Sequence, residues 1–142
     1  MTAPAQPAFN HTASTSRWML AAIFIGAGIL HLLRPGMFVA MVPPWLPAPA
    51  LLVIVSGVCE VMGGVGILLP LTRVVAGWGL IALLVAVLPA NVNMLVMARA
   101  AGASLLWQLA LLVRVPLQLV LIWWVHRATV RATVRATVRA SA

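Results

Sequence analysis

Four long apolar runs, separated by short breaks, dominate the chain. They cover residues 17–33, 50–71, 74–97 and 104–125. A helix needs ~20 mainly apolar residues to cross about 30 Å of hydrocarbon, and each run has about that length, although the first is slightly short. The breaks around residues 70–73 and 99–102 are tight, which favours antiparallel helical hairpins. The pattern therefore predicts an all-α fold, a bundle of four transmembrane helices within residues 17–126.

The segment between the first two runs, residues 35–49, has a different pattern. It contains five prolines and Trp45, which is too much proline for a continuous helix. Its apolar residues argue against a loop in water. We predict a re-entrant or interfacial segment between helices 1 and 2, folded over the mouth of the bundle with Trp45 at the level of the lipid headgroups.

The two ends of the chain differ from the apolar runs. Residues 1–16 are small, polar and proline-containing, so we predict a disordered N-terminal arm. No small-residue cleavage site follows the first run, which is therefore expected to be an uncleaved helix. Residues 127–142 form an Arg-rich tail that repeats Ala-Thr-Val-Arg three times. This tail either binds anionic lipid headgroups and fixes topology, or is a low-complexity extension without a role.

Composition supports a lipid environment. The chain is 64% hydrophobic and only 7% charged, whereas soluble domains have about 45–50% and 25%. The net charge of +8 does not indicate nucleic-acid binding, because most arginines outside the tail sit singly at the ends of apolar runs, where they orient helices. Six arginines fall on the side of the termini and two on the opposite side. Both termini are therefore expected to be cytoplasmic.

Two charged residues lie near the middle of apolar runs. Glu60, the only acidic residue, is at the midpoint of the second run, and Arg114 is near the midpoint of the fourth. Either charge alone would cost about 2.5–3.5 kcal/mol at mid-membrane. Because they are at matching depth, we predict an intramembrane ion pair, direct or through water. Such a pair is either part of a site or only a structural lock.

Four further polar residues are expected to line a pocket with this pair: His31, Ser56, Asn91 and Gln118. Ser56 and Gln118 lie four residues from Glu60 and Arg114 respectively, so each shares a helix face with its neighbour. The set predicts a polar funnel with its base at Glu60 and Arg114 and its mouth beneath the proline-rich segment.

Each of these residues also has a structural interpretation. His31 could be a residue at headgroup level, Asn91 could cap a helix broken at Pro89, and Gln118 could simply bond a neighbouring helix. No second His lies near His31 to suggest a metal site. The single cysteine, Cys59, excludes an internal disulfide and a Cys-x-x-Cys pair. No self-contained catalytic constellation is visible.

The motifs around these residues resemble those of the DoxX family of small bacterial membrane proteins. They are Gly28-x-x-His31, Val42-Pro43-Pro44-Trp45-Leu46-Pro47, Ser56-Gly57-x-x-Glu60-x-x-Gly63-Gly64, Pro89-Ala90-Asn91-x-x-Met94 and Arg114-x-Pro116-Leu117-Gln118. The resemblance implies a four-helix bundle in the bacterial plasma (inner) membrane. Some members of that family are subunits of quinone-linked oxidoreductases, including a thiosulfate:quinone oxidoreductase. The Arg-rich tail is not part of the family pattern.

The leading hypothesis is therefore a membrane subunit or quinone-handling partner of a redox system. Quinone is the candidate cofactor, and a soluble or membrane oxidoreductase is the candidate partner. Arg, Asn and Gln would supply hydrogen-bond donors to a quinone in an apolar cleft. One rival is a small proton-coupled cation exporter that uses Glu60, although a close Arg114 would hold that acid ionised. The other is a structural module that assembles with an enzyme. The sequence leaves homo-oligomer formation open.

Overall fold

The computed structural model describes residues 11–134, and the side chains from residue 14 onward. Regular structure within this range is entirely helical, which confirms the all-α class. The elements are α1 (His11–Leu33), α2 (Pro35–Val39), α3 (Pro49–Gly66), α4 (Arg73–Ala100), α5 (Leu105–Val125) and a π-helical turn (His126–Arg131).

Helices α1, α3, α4 and α5 are long and apolar enough to cross a membrane. Their outer surfaces carry many exposed large apolar side chains, such as Leu33, Met62, Val75 and Leu106. Soluble proteins rarely expose apolar surface on this scale, so the surrounding solvent must be lipid. The chain is a multi-pass membrane protein, and the predicted bundle of four transmembrane helices is confirmed.

The proline-rich segment separates α1 from α3, as predicted. Its α2 portion is only five residues long, and residues 40–48 then run through turns without a further helix. Both α1 and α3 contact α2, so the segment returns onto the bundle.

Two predicted helix boundaries are wrong: the start of α1 and the end of α3. Helix α1 begins at His11, inside the arm that was predicted to be disordered; residues 1–10 of that arm lie outside the described residues. Helix α3 ends at Gly66 rather than at residue 71. Side chains beyond it bind its last carbonyls: Thr72 Oγ1 donates to Gly66 O over 2.9 Å, and Arg73 Nε donates to Ile67 O over 3.1 Å. These bonds satisfy helix-end carbonyls that would otherwise be orphaned in lipid.

Helical structure continues into the Arg-rich tail, further than predicted. The π-helical turn and residues 132–134 extend α5 beyond the expected boundary at residue 126. Thr129, in the first repeat, is fully buried and donates from Oγ1 to Val125 O over 2.7 Å. It packs where a Cβ on Gly77 would stand, so the missing side chain of that glycine makes room for it. Residues 135–142 lie outside the described residues.

The helices pack in the order α1, α3, α4, α5, and the π-helical turn contacts α1 and α4. We call the end of the bundle that contains this turn the closed end, and the end beneath α2 the open end. The closed end is filled by an apolar core: Leu20, Ala21, Phe24, Ile67, Leu80, Leu84, Val125 and Ala128. Apolar packing is thus concentrated away from most of the polar residues.

Helices α1 and α3 make their closest approach at Gly28 and Gly57. A Cβ on Gly28 would lie 2.5 Å from the Gly57 carbonyl oxygen, and a Cβ on Gly57 would lie 3.0 Å from the Gly28 carbonyl oxygen. Only glycine at both positions allows the two backbones to come this near. This close crossing therefore limits the distance between side chains of α1 and α3 that lie near the two glycines.

We expect Gly28→Ala to lower the free energy of unfolding by about 1–3 kcal/mol, because the added methyl forces α1 away from α3. Gly26→Ala is the matched control on the same helix, since its added Cβ would meet nothing within 4 Å. Thermal unfolding of both variants in detergent micelles, followed by circular dichroism, measures the difference. Equal unfolding temperatures for the two variants would contradict the close crossing.

Candidate functional site

A cavity of about 630 Å³ lies in the open half of the bundle. Helices α1, α3, α4 and α5 and the proline-rich segment all contribute to its wall. Most of the wall is apolar, with contributions from Phe24, Leu84, Val87 and Leu121. The structure places all six polar residues singled out from the sequence on this wall: His31, Ser56, Glu60, Asn91, Arg114 and Gln118.

Glu60 is paired with His31. The imidazole Nδ1 lies 3.1 Å from Glu60 Oε2, and the two side chains are only 17% and 11% exposed. Each residue stands three positions after a glycine of the α1–α3 crossing, so the close backbone approach carries the two side chains together. His31 is therefore not simply a residue at headgroup level, as one interpretation of the sequence had it.

The predicted direct ion pair between Glu60 and Arg114 is wrong. Arg114 is exposed and makes no ion pair within 4.0 Å among the described residues. The physical reason is the packing order: α4 contacts both α3 and α5 and stands between them, so equal depth did not bring the two charges into contact. A contact through water remains a prediction, since both side chains face one cavity.

The carboxylate of Glu60 is only partly satisfied by this arrangement. His31 Nδ1 also lies 2.8 Å from the carbonyl oxygen of Ala27. A carbonyl oxygen can only accept, so Nδ1 carries its single hydrogen toward Ala27. Glu60 Oε2 is buried and receives no hydrogen bond from the described residues. It has an ionisable neighbour, His31, but lacks a directed hydrogen-bond donor, which is costly in an apolar site.

The proline-rich segment orients the imidazole and covers the cavity. Phe38, in α2, stacks on the His31 ring with centroids 3.8 Å apart and planes inclined by 27°. Asn93 Nδ2 donates to the carbonyl oxygen of Met41 over 3.0 Å, which ties the segment to α4. Met41 and Leu46 line the cavity. Sequence reasoning missed Phe38 and Asn93 as site residues. The only sequence feature that could have pointed to either of them is that Asn93 is a second amide, two residues after Asn91.

Asn91 and Gln118 form a clamp between α4 and α5. Asn91 Nδ2 donates to Gln118 Oε1 over 2.9 Å, and Gln118 Nε2 donates to the Leu84 carbonyl oxygen. The interpretation that Gln118 bonds a neighbouring helix is thus correct. Asn91 does not cap a broken helix, because α4 continues through Pro89 to Ala100.

The remaining polar group, Ser56, is satisfied within its own helix. Its hydroxyl donates to the Val53 carbonyl oxygen over 2.9 Å. The chemistry left for a ligand is therefore concentrated in two groups: the carboxylate of Glu60 and the guanidinium of Arg114, for which the described residues offer no hydrogen bond.

We expect His31→Leu to lower the free energy of unfolding by about 2–3 kcal/mol, because it removes the partner of the buried Glu60 side chain. The double variant H31L/E60L should recover most of that loss, since no unpaired charge then remains. Arg114→Leu is the comparison variant and should not lower stability, because it removes a charge that has no ion-pair partner among the described residues and that is costly at mid-membrane. Denaturant titration in micelles measures all three. A larger loss from Arg114→Leu than from His31→Leu would show that the arginine is the true partner.

Comparison with known proteins places this bundle in a family. No curated protein and no solved structure matches the chain. One family model matches residues 20–129, which include most of α1, all of α3, α4 and α5, and the cavity between them. The chain belongs to that family, a domain of unknown function, DUF8561.

Proposed function

We propose that this protein is a DoxX-like membrane subunit or quinone-handling partner of a redox system, and that its cavity holds a quinone headgroup. The observation that carries the proposal is one cavity of about 630 Å³ with apolar walls and with Glu60 and Arg114 facing it. Sites for small organic molecules and cofactors have volumes of roughly 300–1,000 Å³ and place a few polar groups in an apolar wall.

The chemistry of a quinone matches this distribution of groups. Its ring and isoprenoid tail are apolar, and its two oxygens lie at opposite edges of the ring. The apolar wall would bury the ring, while the guanidinium of Arg114 would donate to one ring oxygen. The clamp between Asn91 and Gln118 would hold α4 and α5 at a fixed distance around the ring.

The cavity also reaches the lipid-facing surface of the bundle. Three of its lining residues, Ile23, Val55 and Leu117, are between 44% and 58% exposed. A hydrophobic ligand dissolved in the bilayer could therefore reach the cavity laterally, without passing through water. This property suits a membrane quinone better than a water-soluble substrate.

The alternative function is a small proton-coupled cation exporter that uses Glu60. Its support is that Glu60 is the only acid of the chain and faces the cavity. Arg114 on the same wall repels a cation, and a protonated His31 would do the same. This alternative therefore ranks second. The third possibility, a purely structural assembly module, needs no ligand in the cavity.

For location, we propose the bacterial inner membrane with both termini in the cytoplasm. Arginines gather at the closed end, where Arg127 lies over the Trp123 ring at 4.8 Å from its centroid and Arg131 is exposed. Anionic lipid headgroups are the proposed partners of this end, each exposed arginine contributing about 1 kcal/mol near the surface. A redox enzyme is the proposed protein partner.

Protein purified from native membranes should carry quinone that solvent extraction and chromatography detect. Glu60→Gln should change the bound amount at least several-fold, because it replaces a carboxylate of the polar wall, which can only accept hydrogen bonds, by an amide that also donates. Cys59→Ala is the matched control, since Cys59 is the preceding residue of α3, is exposed and does not line the cavity. Its quinone content should equal that of the unmodified chain.

Two results would remove the quinone proposal. If neither native protein nor protein mixed with a short-chain quinone retains any, the cavity does not hold this ligand. Proton release on adding a lipophilic cation would instead select the exporter. Co-purification of a soluble oxidoreductase with no bound small molecule would select the structural module.

Reporter fusions test the orientation. A fluorescent protein that folds only in the cytoplasm should fluoresce when it is attached after residue 142, because the arginines favour cytoplasmic termini. Alkaline phosphatase, which is active only after export, should be active when inserted at Gly102 in the turn between α4 and α5. The opposite pair of results would reverse the topology.

A further inference from the structure

We infer that the cavity selects the reduced, hydroxyl-bearing form of its ligand, a hydroquinone, over the oxidised quinone. This inference rests on the proposed function and deepens it. It follows from which polar groups around Glu60 can donate a hydrogen and which can only accept one.

The first step concerns the position of the histidine proton. His31 Nδ1 is 2.8 Å from the carbonyl oxygen of Ala27, and two acceptors cannot share a contact of that length without a hydrogen between them. Nδ1 therefore carries a hydrogen whether the ring is neutral or charged. It cannot accept one from Glu60, although Glu60 Oε2 is only 3.1 Å away.

The second step concerns the carboxylate. Because Nδ1 already carries a hydrogen, which is directed at Ala27, Glu60 Oε2 cannot donate to the ring and is left as an acceptor without a donor. Its Oε2 is buried without a hydrogen-bond donor among the described residues, while the residue itself is 92% buried, being 8% exposed, and lines the cavity. The site thus presents an acceptor that requires a donor from a ligand.

The third step compares the two oxidation states. Both ring oxygens of a quinone are acceptors, so a quinone carbonyl placed against the carboxylate brings two acceptors together. A hydroquinone carries an O–H at each of these positions and can donate to the carboxylate. Its other oxygen still accepts from Arg114, so the reduced form satisfies both polar ends of the cavity. Hydrogen bonds to a charged group are the stronger class, and losing one changes affinity by about ten- to a hundredfold.

The test uses three related ligands and the full chain in detergent micelles under anaerobic conditions. The ligands are a short-chain ubiquinol, the corresponding ubiquinone, and the dimethyl ether of the ubiquinol. The ether has the reduced ring but no hydrogen to donate. We expect the ubiquinol to bind at least about tenfold more tightly than the other two.

Variants identify the group that makes the distinction. Glu60→Gln should bring the ubiquinol and ubiquinone affinities within about threefold of each other, because an amide both donates and accepts. Cys59→Ala should retain the full preference. The ether comparison is made on the unmodified chain, so the inference stays testable even if Glu60→Gln does not fold.

The possible outcomes distinguish this inference from the proposed quinone site on which it rests. Equal affinities for all three ligands would overturn the selection of the hydroxyl form and leave a quinone site in place. Tighter binding of the ubiquinone would also overturn it, since Glu60 would then be acting as a protonated donor. Absence of binding by every ligand would remove the quinone function itself.

Discussion

A carboxylate inside hydrocarbon needs a neighbouring cation or a proton, and the packing of this bundle places beside it an imidazole, which is a cation when it is protonated. Two glycines, Gly28 and Gly57, bring α1 and α3 together until each backbone touches the other. A Cβ on Gly57 would lie 2.9 Å from His31 Cβ, and a Cβ on Gly28 would lie 3.0 Å from Glu60 Cβ, so each of these side chains packs against the glycine of the opposite helix. The close packing and the ion pair are therefore one feature: without the glycine crossing, the imidazole could not reach the carboxylate.

The interior of the bundle differs between its two ends. Toward the closed end, small and apolar residues fill the interior, and even the first unit of the Arg-rich repeat is drawn into it through Thr129 and Gly77. Toward the open end, the described side chains enclose a cavity of about 630 Å³. The proline-rich segment covers this half, and its Phe38 also fixes the plane of the imidazole. A segment that looks like a connection is thus part of the site.

The sequence predicted the number of spans and the members of the site more reliably than it predicted their contacts. Membrane thickness sets the length of an apolar run, so the four spans could be read directly. Depth and helix face likewise selected six polar residues that the structure places on one cavity. Depth alone, however, does not tell which helices touch, and Arg114 was assigned to Glu60 for that reason. The spacing shared by Gly28-x-x-His31 and Gly57-x-x-Glu60 contained the correct pairing, but it has meaning only once α1 and α3 are known to be neighbours. The early start of α1 and the continuation of helical structure into the first repeat were missed, because small residues such as Ala and Thr carry a weak hydropathy signal.

The polar groups are distributed asymmetrically around the cavity. The wall formed by α1 and α3 presents a carboxylate that needs a donor, whereas α5 presents the donor groups of Arg114. The amide clamp of Asn91 and Gln118 fixes α5 to α4, and α4 packs on α3. The two walls therefore belong to separately stabilised helix pairs joined through one helix interface. A ligand that donates at one edge and accepts at the other would satisfy both walls at once, and a ligand with the same polarity at both edges would leave one of them unsatisfied. On the proposed function, the asymmetry of the polar groups would therefore restrict the ligand more strongly than the volume of the cavity would.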